Sequence, residues 1–144
     1  MLHMSRTFEY RHVVSFDETN VVGNVYYVTH LRWQGRCREM FLRVHAPGIL
    51  KEFEQGLALV TVRCSCDYYD EVFAFDEILV QMRLETVQQN RVRLAFDYLR
   101  TKDGASTLIA RGAQEVAAMR KTDRGLVATP LPDELRSALE LYNS

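Results

Sequence analysis

The stretch FDETNVVGNVYYVTHLRW, Phe16 to Trp33, carries residue types from which a carbonyl-directed site can be built. A strand-like segment passes through a glycine-bearing turn into a helix. The first N–H groups of a helix have no intrahelical acceptor and lie at the positive end of its dipole, so they suit a developing oxyanion. Two carboxylates, Asp17 and Glu18, stand close by, yet the residue three before Gly23 is Asn20. An amide does not remove a proton near neutral pH. Its NH2 can donate to a carbonyl oxygen, or its C=O can hold a water. As plain turn residues, Asn20 caps or tolerates left-handed backbone, Gly23 serves conformation, and Asp17 and Glu18 are solvated loop charges. His30, on the inner side of the helix, reads either as a substrate contact or as a satisfied core histidine.

Other chemistries find less support. His3, His12 and His45 lack metal-ligand spacing, and Cys64-x-Cys66 has no second ligand pair, so no metal and no cofactor is expected. There is no G-x-S-x-G elbow and no Ser/His/Asp order. Cys37 sits between Arg36 and Arg38, cations that would lower a thiol pKa.

The elements that must position these residues follow from periodicity. Residues Thr7 to Phe16 read as a strand, Asp17 to Asn24 as a turn, and Val25 to Val44 as one long helix ended by HAPG at His45 to Gly48. Four long strands follow, at Ala58–Tyr69, Glu77–Gln88, Arg91–Thr101 and Thr107–Arg120. Tight connections are expected at Gln88–Asn90 and Lys102–Ser106, and a short helix after Pro132. A strand, a helix and then four strands joined mainly by short turns predict an α+β fold: a five-stranded antiparallel sheet wrapped on a long central helix.

Projection at 3.6 residues per turn puts Arg32, Arg36, Glu39 and Arg43 on one charged stripe, with Trp33, Cys37, Met40, Phe41 and Val44 largely opposite. Gly35 costs about 1 kcal/mol relative to alanine there, which suggests close backbone approach. Arg38 leaves the charged stripe and shares the flank of Tyr27 and Gln34. An arginine turned toward the apolar side needs an acceptor or a ligand.

Composition sets the outer bounds. The 144 residues predict a single domain spanning 1–144, large enough to need no staple. Net charge is −1, so no basic field points to nucleic acid. Arginine outnumbers lysine 15 to 3, which suits phosphate or carboxylate recognition and equally reflects codon bias. No apolar run approaches a membrane span, and Met1 to Arg11 shows no signal-peptide core, so a reducing cytoplasmic setting is expected.

The segment DETNVVGNVYYVTHLRWQGRCREMFLR, Asp17 to Arg43, resembles the 4-hydroxybenzoyl-CoA thioesterase branch of the hotdog superfamily. That branch carries Asp, two residues and Gly before an aromatic pair that enters the helix. Here the family's Asp position holds Asn20, by ungapped matching through Gly23. The pattern TNVVGNVYYV with LRWQGRCRE is similar to the thioesterases of enediyne polyketide biosynthesis, which have Asn there and a functionally important helix arginine.

The resemblance implies hydrolysis of a β-ketopolyenyl thioester on an acyl carrier protein, with decarboxylation of the released acid as an optional second step. It implies Asn20, Arg38 and the Tyr27 backbone N–H as catalytic groups, with Gly23, Val25, Tyr26, His30, Gln34, Tyr68 and Phe73 around the substrate. It also implies a homodimer or homotetramer with sites between protomers, where strand residues 60–66 of a second copy flank the pantetheine arm. The sequence leaves two alternatives open: a general acyl-CoA or aroyl-CoA thioesterase, and a non-catalytic acyl-binding module. Eleven residues separate Tyr27 from Arg38, about 16 Å along a helix, so direct service to one carbonyl requires a later helix start, an indirect role, or a second subunit.

Overall fold

The computed structural model describes residues 6–143; His3 lies outside them. Strand β1 is Phe8–Val13, followed by a 3-10 turn at Phe16–Glu18. Helix α1 is Thr29–His45 and helix α2 is Pro47–Glu52. Strands β2 (Leu57–Tyr68), β3 (Glu77–Gln88), β4 (Arg91–Lys102), β5 (Ala105–Thr122) and β6 (Gly125–Ala128) lead to helix α3, Asp133–Glu140. The sheet runs β1-β3-β4-β5-β2, antiparallel at every step.

This is the predicted α+β arrangement of a five-stranded sheet with one long helix, with three differences. First, α1 begins four residues later than the periodicity suggests. Val25 is instead held in isolated bridges, Thr19 to Val25 and Asn24 to Phe73 pairing the segments on either side. Second, the HAPG segment does not simply stop the chain. Pro47 occupies the first turn of α2, where its missing N–H costs nothing. Third, β5 outruns β4, and β6 folds back to cover residues 119–122 of β5 where β4 has ended.

The buried face of α1 comprises Thr29, His30, Trp33, Gln34, Cys37, Phe41 and Leu42, the spacing of one apolar stripe. It packs on Val80, Met82 and Leu84 of β3 and on Val92, Leu94, Phe96 and Tyr98 of β4, with Leu135, Ala138 and Leu139 of α3 closing one end. Val44, expected on that stripe, is exposed. Gly35 lies on the outer face, where an added Cβ would meet nothing within 4 Å, so close approach is not its reason. The opposite sheet face is polar, laced by Arg83 and Arg111 on Asp97 and by Arg93 on Glu85 and Glu115. Among the described residues no helix is long and apolar enough to cross a membrane.

Candidate active site

The segment between β1 and α1 is built by its own backbone. The Asn20 N–H donates to the Asn24 carbonyl at 2.8 Å, and the Gly23 N–H donates back to the Asn20 carbonyl at 3.0 Å. Gly23 closes this loop at φ +95°, open to glycine and strained for other residues. The Asn20 side chain takes part: its Oδ1 accepts the Val22 N–H at 3.0 Å, an Asx turn. Its NH2 meets no acceptor among the described residues. The amide oxygen thus has one lone pair engaged in the turn, while the amide donor is wholly unengaged. Asn20 is partly buried and lines an open cleft of about 530 Å³ with Asp17, Thr19, Tyr26, Thr29 and Arg32.

The amides leading into α1 are not equivalent. The Val25 N–H donates to the Val72 carbonyl at 2.7 Å and the Tyr26 N–H to the Glu18 carbonyl at 2.9 Å, so neither is free to meet a ligand. The Tyr27 and Val28 N–H groups find no acceptor among the described residues. Nothing caps the helix either: Val28 stands at the N-cap with no side-chain hydrogen bond, and the first turn holds no acidic residue. Tyr27 is fixed from the other side, because the Tyr68 hydroxyl of β2 donates to its carbonyl at 2.5 Å.

Glu18 is neither a solvated loop charge nor a free base. Its Oε1 accepts from His12 Nε2 at 2.6 Å and from the Ser15 N–H at 3.0 Å, and its Oε2 accepts from Trp33 Nε1 at 2.8 Å. Burial pushes its carboxyl pKa up, but these donors outweigh that and hold it below the ordinary value. Ser15 and Glu18 form a capping box on the 3-10 turn. That S-x-x-E signal is present in the sequence and was sufficient to find this role. Asp17 stays exposed and takes the Ser15 hydroxyl.

His30 is 3% exposed, among the rings of Tyr68 at 4.7 Å, Trp33 at 5.0 Å and Tyr98 at 5.7 Å. Neither ring nitrogen has a hydrogen-bond partner among the described residues. Burial therefore lowers its pKa to about 4, against a smaller opposing pull from the Tyr27 carbonyl. Gln34, one turn on, donates to the Ser65 carbonyl at 2.8 Å while its Oε1 stays unpartnered. It crosses the sheet at Gly112, where a Cβ would come within 2.1 Å of Gln34 Nε2.

Arg38 does not join the Asn20 cleft. It donates to Gln114 Oε1 at 3.1 Å and to Thr61 Oγ1 at 3.2 Å, neutral acceptors on β5 and β2. Burial lowers its pKa, and the charge of Glu39 opposes this. It also borders an apolar cavity of about 20 Å³ lined by Phe41, Leu42, Leu94, Val116 and Leu139. The later start of α1 shortens the separation by too little to bring Arg38 to the helix N-terminus. Tyr68 and Phe73 are partly exposed and lie outside this cavity, and Phe73 bridges to Asn24 in the turn. Cys37 is buried, and its thiol is pushed up to about 12, so the neighbouring arginines do not activate it. Among the described residues no group of three His, Cys, Asp or Glu side chains is placed to hold a metal.

Residues 14–139 match the family model described as the thioesterase-like superfamily. The chain belongs to this superfamily. Its structure resembles the dynemicin thioesterase solved in a study of induced fit and allostery on polyene binding, at TM-score 0.93 and 50% identity over 96% of this chain and 98% of that one. A 4-hydroxybenzoyl-CoA thioesterase variant complexed with 4-hydroxybenzoyl-CoA shares the fold at TM-score 0.81 and 17% identity, over 96% and 99% of the two chains. A putative esterase of Aquifex aeolicus strain VF5 is 30% identical over 96 residues, 67% of this chain and 73% of its own. The thioesterase is thus a hotdog enzyme for thioester hydrolysis.

Proposed function

We propose that this thioesterase releases a β-ketopolyenyl chain from the acyl carrier protein of an enediyne polyketide synthase. The observations that support the reading are a free Asn20 NH2 in an open cleft that Val28 and Thr29 of the helix entry also line, and unoccupied Tyr27 and Val28 N–H groups where that helix lacks a cap. The 50% identity to a dynemicin thioesterase supports the biosynthetic setting.

In this mechanism the Tyr27 N–H and the helix dipole hold the thioester oxygen, and Asn20 donates to it or to the attacking water. Water adds to the carbonyl carbon, the C–S bond breaks, and the pantetheine sulfur leaves as a thiol with the proton that water gives up. The β-keto acid can then lose CO2, its α-carbon taking a proton to give a methyl ketone. An uncharged amide suits this substrate, because a carboxylate at that position would draw on the acidic α-proton. Gly23 shapes the turn and Val25 and Tyr26 anchor its exit; we assign Tyr68 and Phe73, with His30 and Gln34 buried beneath α1, to the substrate's surroundings.

Arg38 enters through a second copy of the chain. Strand β2 is an edge strand of 12 residues without proline, paired only with β5, and such an edge invites a partner. Along one β2, Thr61 and Tyr68 are about 23 Å apart. Antiparallel pairing of two β2 strands about their midpoints sets the second copy's Thr61 opposite Cys64, about 13 Å along the strand from Tyr68. In such a dimer the second copy's Arg38 stands across the shared strand edge, and we assign that guanidinium to the site. There it can receive the carboxylate of the β-keto acid.

The test is incubation with a β-ketoacyl-loaded carrier protein and mass analysis of the released product. Native protein is expected to release acid or methyl ketone, and Asn20→Ala to slow release roughly 100-fold. No release from the carrier, or an Asn20→Ala variant as fast as native, rejects the reading. Faster turnover of free acyl-CoA than of the loaded carrier supports a general acyl-CoA thioesterase instead.

A further inference from the structure

Arg32 stands where two clefts meet. It lines the Asn20 cleft, and it also lines a second open cleft of about 550 Å³ with Tyr10, Trp33, Gly35, Arg36 and Glu39. Arg32 is the residue they share, the first cleft beside the turn and the second along the outer face of α1. Gly35 contributes no side chain to the second cleft, which leaves it open on that stretch.

The acids around Arg32 are occupied elsewhere. Glu18 is held by His12, Ser15 and Trp33, Glu39 is paired with Arg36 at 3.1 Å, and Asp17 takes the Ser15 hydroxyl. The Arg32 side chain has no ion-pair or hydrogen-bond partner among the described residues, and the residue is exposed. It is the uncommitted guanidinium beside the thioester turn, less than one helical turn past the start of α1, with its fork of donors open to an oxyanion.

We infer that Arg32 binds the phosphate of a phosphopantetheine arm whose thioester lies at the Tyr27 N–H. This rests on the thioester reading of the cleft given above. The arm places two amides and a chain of methylenes between sulfur and phosphate, so the phosphate lies well away from the reacting carbonyl, toward solvent. An exposed guanidinium at the junction of the two clefts is placed to meet it there. The same phosphate occurs on a carrier protein and within CoA, so the inference concerns the shared group.

The experiment compares one acyl group on pantetheine, on phosphopantetheine, on carrier protein and on CoA, at low ionic strength, for native protein and for Arg32→Gln and Arg32→Lys. The quantity read is the ratio of kcat/KM for phosphopantetheine over pantetheine. Native protein should favour the phosphorylated arm roughly tenfold. Arg32→Gln should bring the ratio close to one, Arg32→Lys should keep part of it, and added salt should erode it. A penalty on the carrier thioester alone, or on the CoA thioester alone, supports the inference and identifies the source. A ratio unchanged in Arg32→Gln overturns it. If native protein hydrolyses none of the four, the thioester reading itself fails. Calorimetric binding of a non-hydrolysable phosphopantetheine thioether then decides for Arg32, and equal Kd for native and Arg32→Gln overturns it.

Discussion

Glu18 Oε2 accepts the indole N–H of Trp33 at 2.8 Å, which fastens the turn before α1 to the second turn of that helix. With His12 and Ser15 on the other oxygen, one carboxylate ties β1, the 3-10 turn and α1 together. The Glu18 backbone carbonyl takes the Tyr26 N–H, and the next two amides, those of Tyr27 and Val28, are left without an acceptor among the described residues.

Glu18→Gln should therefore loosen the whole turn. It loses the charged partner of His12, and hydrogen bonds to charged groups contribute about 1.5–3 kcal/mol. Chemical denaturation should show a loss of that size, and kcat should fall more than KM rises. The folded-state carboxyl pKa lies below its reference of 4.5, so this contribution is complete above pH 4.5 and is lost as the pH falls through the folded value. A variant with native kcat would remove Glu18 from the positioning of the Tyr27 amide.

Tyr68→Phe removes the one hydroxyl that holds the Tyr27 carbonyl. A neutral hydrogen bond of this kind contributes about 0.5–1.5 kcal/mol. A drop in Tm of a few degrees, accompanied by a lower kcat on any thioester, is the expected result. Thermal unfolding and steady-state kinetics on the same preparation check it.

His30 gives the fold an acid-side weakness. Its pKa falls from 6.5 in the free side chain to about 4 in the folded protein, so the unfolded chain binds the proton first as the pH drops. Stability should decline between pH 6.5 and 4, by about 3 kcal/mol in all. His30→Phe should flatten that decline when denaturation midpoints are compared at pH 7 and pH 4.5. An unchanged slope would mean that the ring titrates as it does in water.

Gly35→Ala places a methyl group in open space on an exposed helix face and should stabilise the protein by up to about 1 kcal/mol. A higher denaturation midpoint is the expected result. If the outer cleft beside Arg32, which Gly35 lines, carries the arm's phosphate, the same variant should raise KM for phosphopantetheine thioesters more than for pantetheine thioesters.

Much of the fold was legible because strand alternation and turn chemistry are local. The four long strands after α1 lie within a few residues of their expected spans, and Asp103-Gly104 makes the predicted tight turn, both residues at positive φ. The start of α1 was not legible. Val25, Tyr26 and Val28 fit a helical stripe, but the bond from the Val25 N–H to Val72 diverts them, and Val72 lies 47 positions away in the chain. Strand β6 was missed because its four exposed residues carry no burial pattern.

The sequence by itself determined an antiparallel sheet with one long helix and an asparagine in a glycine turn at its entry, because these depend on side-chain period and on which residues tolerate left-handed backbone. Only the tertiary structure decided which atoms remain for chemistry. Whether an amide N–H, a guanidinium or a carboxylate is free depends on partners brought in from distant strands. Val72 and Glu18 take the Val25 and Tyr26 amides, His12 and Trp33 occupy Glu18, and Gln114 and Thr61 hold Arg38 away from the turn.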